Sequence, residues 1–269
     1  MTHQVESAKV LASRLAMVAI VLIIVALWFV LTPKPVPELI FPSPASAWSA
    51  IQSLGFSLVG HAATTFTRVV LGWSLGVIFG VAFGTWISWS RFAYEMTRPM
   101  IEVVRPLPPI ALIPFFIIWF GIGPFGQIFL VFLGVFMVLM VQTYTCIQNL
   151  PPVFVRAASS LGASDWEIYR TVVLPGIIPG LLGALRVSAA LAFGIGVAAE
   201  YMGAQSGLGF IIMVARRTLN TNTILVGTML IGLESLALDV AIRRGVAAMT
   251  RWAEDPATVS TTTSRGEVL

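Results

Sequence analysis

Charge-free apolar blocks separated by short polar stretches set the pattern of this chain. Leu15 to Pro33 runs 19 residues without an Asp, Glu, Lys or Arg, Val69 to Ser90 runs 22, and Pro106 to Val155 runs fifty. A helix rises 1.5 Å per residue, so crossing a hydrocarbon core of about 30 Å takes about 20 residues. The blocks predict membrane-spanning helices over residues 13–31, 62–89, 103–120, 126–147, 177–201 and 223–242, with Phe120 to Gly126 turning the chain between the third and fourth. A transmembrane barrel would alternate apolar and polar residues in ~10-residue segments, and no such alternation is present. Between the first two spans the prolines of PKPVPELIFPSP interrupt helix, while SPASAWSAIQSL predicts one short helix at the membrane interface.

Composition agrees with this all-α integral membrane class: of 269 residues 57% are hydrophobic and 10% charged, against roughly 25% charged in soluble domains. The apolar stretch after Arg14 is as wide as a bilayer and ends in TPKPVPE, not in a small-residue cleavage site, so it reads as a retained first helix rather than a signal peptide. The single cysteine, Cys146, lies in an apolar segment and says nothing of redox compartment. Basic residues set the orientation. With a cytosolic N-terminus, the cytosolic segments hold Lys9, Arg14, Arg91, Arg98, Arg105, Arg156, Arg170, Arg243, Arg244, Arg251 and Arg265, against Lys34, Arg216 and Arg217 opposite. Both termini are then cytosolic, and the net charge of +4 fixes topology without calling for nucleic acid. The expected organisation is a cytosolic N-terminus over 1–12, a membrane domain over 13–252, and a polar, disordered cytosolic tail over 253–269.

One polar island follows the fifty-residue block: RAASSLGASDWEIYRTVVLPG, Arg156 to Gly176, within a cytosolic loop over 150–176. Pro151 and Pro152 suit a helix start and Gly162 a stop. Val153, Ala157 and Ser160 to Leu161 fall near one face of that helix. A second helix begins at Ser164 or Asp165 as cap, with Pro175 expected to end it.

Charges inside the spans are costly, about 2.5–3.5 kcal/mol each at the centre on insertion scales. Arg68, Arg186, Glu200, Glu234 and Asp239 lie in spans, while Glu102 and Arg105 are spaced to pair at the inner end of the third. Arg68 and Arg186 either form a buried structural pair, snorkel towards headgroups, or face a pathway and favour an anion. Glu200 is a candidate for an outer gate, with Gly203, Gly207 and Gly209 giving its loop freedom to bend. Pro106, Pro108, Pro109 and Pro114 break a membrane helix, as segments that border a translocation path often do.

The island resembles the cytosolic loop of the membrane subunits of binding-protein-dependent ABC importers, whose motif reads Glu-Ala-Ala, three residues, Gly, nine residues, Ile, any residue, Leu-Pro. Ala157, Ala158, Gly162, Val172, Leu174 and Pro175 match in spacing, and Arg156 stands in place of the acid. EVVRPLPPIALIPFFIIWFGIG and GASDWEIYRTVVLPGIIPGLLGALRVSAALAF are similar to the taurine, alkanesulfonate and nitrate branch, over residues 15–252.

The resemblance implies a type I importer permease with six membrane helices in the bacterial inner membrane. It would work beside a second copy of itself, two cytosolic ABC ATPase subunits that bind ATP and Mg, and an extracytoplasmic substrate-binding protein. It also implies that Arg156 to Leu161 docks on the ATPase, with Gly162 as the bend; the residues themselves make Pro108, Pro109, Arg68, Arg186 and Glu200 candidates for the path, and give Arg216 and Arg217 contact with the binding protein, a weak first contact for an anion, or a solvated face. Independently, a P-loop needs Gly-Lys-Ser/Thr, and the only lysines are Lys9 in SAKV and Lys34 in TPKP. Catalysis of ATP hydrolysis is therefore not expected of this chain, nor is a metal site, since the only histidines are His3 and His61. An ion-coupled carrier is the alternative, against which stand the lack of an obvious repeat and acids placed near helix ends.

Overall fold

The computed structural model describes residues 42–104 and 107–249, together with positions 19, 20, 23 and 26–28 of the first apolar segment. The predicted span over 13–31, the two terminal segments, Arg105 and Pro106 lie wholly or mostly outside the described residues. The described chain is helical: α1 (Pro44–Leu54), α2 (Phe56–Trp89), α3 (Arg91–Val104), a 3₁₀ turn (Pro109–Leu112), α4 (Ile113–Phe120), α5 (Pro124–Gln148), α6 (Pro152–Ser160), α7 (Asp165–Ile168), a π turn (Tyr169–Val173), α8 (Leu174–Gly203), α9 (Leu208–Arg217) and α10 (Thr221–Met249). Four stretches among them are long and apolar enough to cross a membrane: Phe56–Trp89, Pro124–Gln148, Asp165–Gly203 and Thr221–Ala248.

α1 is the short helix expected from SPASAWSAIQSL. Ser43 caps it by accepting from the backbone N–H of Ser46 at 3.1 Å, and Gly55, at φ +52°, breaks it from α2. Ala47 and Ala50 bury against Leu58, Leu208, Ile211 and Val226.

The centre of the bundle is the pairing of α2 with α5, and glycine makes it possible. Gly72, Gly76, Gly80 and Gly84 recur every four residues, so they form one seam along α2. A β-carbon on Gly76 would lie 2.6 Å from Val135 Cβ, and one on Gly84 would lie 2.6 Å from the Met140 carbonyl oxygen. Helices in lipid gain nothing from hydrophobicity and must associate by close packing, which small residues at the seam permit. The contacts advance together along both helices, from Gly72 beside Val131 to Gly84 beside Thr143, so α2 and α5 run parallel.

That parallel pairing requires the chain between Trp89 and Pro124 to return across the bundle. It does so as a broken segment, as the prolines within the span over 103–120 lead one to expect. α3 ends at Val104, Pro108 is extended (φ −71°, ψ 122°), and Pro109 opens the 3₁₀ turn before α4. Prolines 106, 108 and 109 remove three backbone donors in four residues, which an uninterrupted helix cannot absorb. Arg98 Nε donates to Glu102 Oε1 at 2.8 Å, one turn back, while the expected partner of Glu102, Arg105, lies outside the described residues.

α8 runs antiparallel to both partners. Its Gly196 lies against Val69 and Val131, its Ile195 against Gly134, and Ser188 accepts from the Trp73 indole N–H at 3.0 Å. Val69, Leu130, Val131, Val135, Leu139, Ala192, Phe193 and Ile195 form the centre of this core, all buried.

Candidate functional site

The island folds as a knob at the end of the bundle where α2 finishes and α8 begins. α6 opens with Pro152 in its first turn and ends in a motif built on Gly162. There the N–H of Ala163 donates to the Ala158 carbonyl at 3.2 Å and that of Gly162 to Ser159 at 3.0 Å. This is the Schellman arrangement, which needs a left-handed residue after the cap, and Gly162 supplies it at φ +83°.

Ser164 is the cap of α7. Its hydroxyl oxygen accepts from the Glu167 backbone N–H, and the Glu167 carboxylate accepts from the Ser164 backbone N–H at 2.8 Å, a reciprocal capping box. Pro175, however, does not end the helix that follows. The π turn over Tyr169–Val173 carries α7 directly into α8, with Pro175 in the first turn of the latter. Proline clashes with the carbonyl four residues back, here Thr171, and a π turn opens the spiral at that point.

The knob is tied to α2 through aromatic side chains. Tyr169 donates its hydroxyl to the Thr85 carbonyl at 2.6 Å, and the Trp89 ring meets those of Tyr169 and Trp166 edge to face at 4.7 and 5.9 Å. Beyond this anchor its apolar side chains point outward: Leu161 is 89% exposed, and Val153, Phe154 and Trp166 are also exposed. Arg156 and Ala157 are exposed, Ala158, Val172, Leu174 and Pro175 are half-buried.

At the opposite end, Arg68 and Glu200 meet. Arg68 Nη1 donates to Glu200 Oε1 at 3.2 Å and to the Ser206 carbonyl at 2.8 Å, and Nη2 donates to Ser206 Oγ at 2.9 Å. Glu200 is 2% exposed and also accepts from the Thr65 hydroxyl and, at 2.9 Å, from the Gly209 N–H. Thr65 Oγ1 in turn accepts from the Leu208 N–H at 2.7 Å, and His61 Nδ1 from Gly207 N–H at 3.0 Å. These acceptors satisfy the first free N–H groups of α9, and the carboxylate sits where the helix dipole is positive.

Two of the three glycines here, Gly207 and Gly209, answer to space. A β-carbon on Gly207 would collide with the Glu200 carboxylate, and one on Gly209 would lie 2.7 Å from Glu200 Cβ. The Gly207 turn is pinned, with φ +119° that a side chain resists. Removing one partner of a buried ion pair costs about 3–5 kcal/mol. Glu200→Ala is therefore expected to lower the melting temperature in detergent well below that of Glu200→Gln, which keeps an acceptor; equal melting for the two variants would show that the carboxylate is not the clamp.

Arg186 joins a different partner. Its Nε donates to Asp239 Oδ1 at 2.6 Å, while Arg243 Nη2 donates to Asp239 Oδ2 at 2.9 Å. Arg68 and Arg186 thus belong to two separate ion pairs. Pro109 packs near Gly134 of α5, whereas Pro108 is exposed. Arg216 and Arg217 are exposed in the last turn of α9, where cations favour the helix dipole. Among the described residues no group of three or more His, Cys, Asp or Glu is placed to hold a metal.

Sequence reading missed the glycine seam, although its four-residue spacing is visible in GWSLGVIFGVAFG. It also missed Thr65, His61 and Ser206, whose roles have no local signal because each serves backbone or side chains of distant segments.

Comparison with known proteins places the chain among transport subunits. Residues 76–251 match the family described as binding-protein-dependent transport system inner membrane component. The taurine transport system permease protein TauC of Escherichia coli is 32% identical over 232 residues, 84% of each chain. A putative aliphatic sulfonates transport permease protein, SsuC of Escherichia coli, is 32% identical over 215 residues, 79% of this chain and 82% of that one. Among solved structures, a chain of the MetNI methionine ABC transporter in inward-facing conformations superposes with a TM-score of 0.58 at 22% identity, covering 70% of this chain and 96% of that one, a likeness of fold.

Proposed function

As this chain belongs to the family of binding-protein-dependent transport system inner membrane components, in the taurine and alkanesulfonate branch of ABC permeases, we propose that it is the membrane path for a small anion, delivered by an extracytoplasmic binding protein and driven by two cytosolic ATPase subunits. Two copies would enclose the path, in a bacterial inner membrane with both termini cytosolic. Taurine and aliphatic sulfonates are what relatives are named for, and a sulfonate is the solute class we assign.

The observation that carries this reading is the knob. Leu161 is 89% exposed, with Val153, Phe154 and Trp166 exposed around it, on a scaffold whose helix ends are both capped. Apolar side chains gathered on a surface mark an interaction site. The π turn makes α7 and α8 one continuous helical element, so displacement of the knob by ATPase closure is transmitted straight into the membrane. Tyr169 and Trp89 carry the same displacement to α2. ATP binding would draw the knobs of two copies together and open the outer side, and hydrolysis would reverse it. The Arg68–Glu200 clamp holds α9 in place on the outer side, presenting Arg216 and Arg217 to the binding protein.

Uptake of radiolabelled taurine and methanesulfonate into proteoliposomes holding the chain, its ATPase and its binding protein is expected to require ATP and all three components. Uptake without the ATPase, or driven by an ion gradient alone, would replace the importer with a carrier.

A further inference from the structure

Arg186 and Asp239 lie on the walls of an open groove of about 600 Å³ between α8 and α10. Arg186 is twelve residues past the start of α8 and seventeen before its end, so it sits about 18 Å from one end and 25 Å from the other. Asp239 also binds Arg243, toward the inner end of α10, so the pair lies in the inner half of the span, where a charged side chain faces a bundle interior, a water-filled cavity or the headgroup boundary. Two arginines meet one carboxylate there, leaving one positive charge in excess. Both Asp239 oxygens are taken, whereas Arg186 commits only its Nε–H. The two terminal amino groups of its fork remain for another acceptor, and the side chain is 45% exposed.

The walls are shaped for close approach. Gly183 and Gly232 line the groove on opposite helices, and a β-carbon added at either would meet nothing within 4 Å. Unlike the glycines of the α2 seam, these two are not demanded by packing among the described residues. Glycine inside a helix is destabilising relative to alanine, and one use that offsets this is to let a ligand approach the backbone closely. Ala190 continues the small-residue wall, and Ser235 places a hydroxyl on the α10 side.

We propose that this groove is a weak binding site for a soluble small oxyanion, held by the free amino groups of Arg186 and the Ser235 hydroxyl. Asp239 occupies the same cation as an internal rival, which keeps the site shallow enough to release its guest. Conduction needs binding of that kind, favourable enough to enter and weak enough to leave. The inference rests on the importer reading for its solute, yet its test does not.

Cys146 is the only cysteine in the sequence, so a Cys146→Ser chain carrying Gly232→Cys reports on the groove alone. In phosphatidylcholine nanodiscs, with each rate divided by that reagent's rate on a free thiol in solution, the sulfonate-bearing methanethiosulfonate reagent is expected to label it at least about fivefold faster than the trimethylammonium reagent, as a field of one excess positive charge favours the anion. Arg186→Gln should bring the ratio to one or below, Asp239→Asn should raise it, and millimolar methanesulfonate should slow labelling. Gly183→Cys, on the facing wall, repeats the measurement should the first variant fail to insert. A ratio indifferent to Arg186, or a thiol closed to both reagents, would overturn the site. So would protection by added phosphatidylglycerol but not by methanesulfonate, which would assign the groove to lipid headgroups. Labelling needs neither ATP nor partners: failed uptake with an intact Arg186-dependent ratio sinks the importer reading and leaves the site, and the converse result does the reverse.

Discussion

Valine in place of Gly162 is expected to cut ATP-driven uptake at least about tenfold, a change of about 1.4 kcal/mol in the coupling step, while ATP hydrolysis by the assembled complex continues. Gly162 holds φ +83°, a conformation that costs an L-residue about 1–2 kcal/mol and a β-branched one no less. The cost falls on the knob alone, because a β-carbon at Gly162 would meet nothing within 4 Å. Valine relaxes by unwinding the turn that the Ala163-to-Ala158 hydrogen bond closes, and Leu161 then no longer stands where the ATPase would receive it. Membrane insertion and melting temperature should stay near those of the unsubstituted chain. Asparagine, which tolerates the left-handed region through its short polar side chain, should recover most of the uptake. Normal uptake by the valine variant would remove the knob from the coupling step.

Leucine at Gly76 should instead damage the fold. Even a β-carbon there would sit 2.6 Å from Val135 Cβ and 3.0 Å from the Phe132 carbonyl oxygen, so the larger side chain forces α2 and α5 apart along the seam. Overpacking a well-filled core costs about 1–3 kcal/mol, and the upper end applies where backbone opposes backbone. The expected readout is a melting temperature in detergent lowered by several degrees with loss of folded yield. Gly60→Leu is the control. It lies on the same helix where an added β-carbon meets nothing within 4 Å, and it should melt with the unsubstituted chain. Equal melting of both variants would mean that the seam does not hold the pair.

The two variants also mark where sequence reading reached and where it stopped. The knob was legible because its devices are local: Pro152 starts a helix, Gly162 stops it, and Ser164, one of two candidates, caps the next. The fate of Pro175 was not, since a proline stop and a π turn that absorbs the same proline share one sequence. Likewise the prolines around residue 108 announced a break in the third crossing, yet the break begins at Val104 and leaves α3 and α4 as separate short helices.

Charge pairing divides in the same manner. Arg68 and Glu200 stand 132 residues apart in the chain, and Arg186 and Asp239 stand 53 apart, so composition and spacing marked each as costly in a membrane without naming its partner. Apolar length and proline or glycine placement follow from hydration and backbone sterics, which act over a few residues, and for that reason the helical membrane class, the long helices and the capped knob were readable from the chain as written. Which helices run parallel, which glycines are filled by a neighbour and which stand open at Gly183 and Gly232, and which carboxylate each arginine finds depend on how separate helices pack. Close contact between distant segments is a property of the assembled bundle.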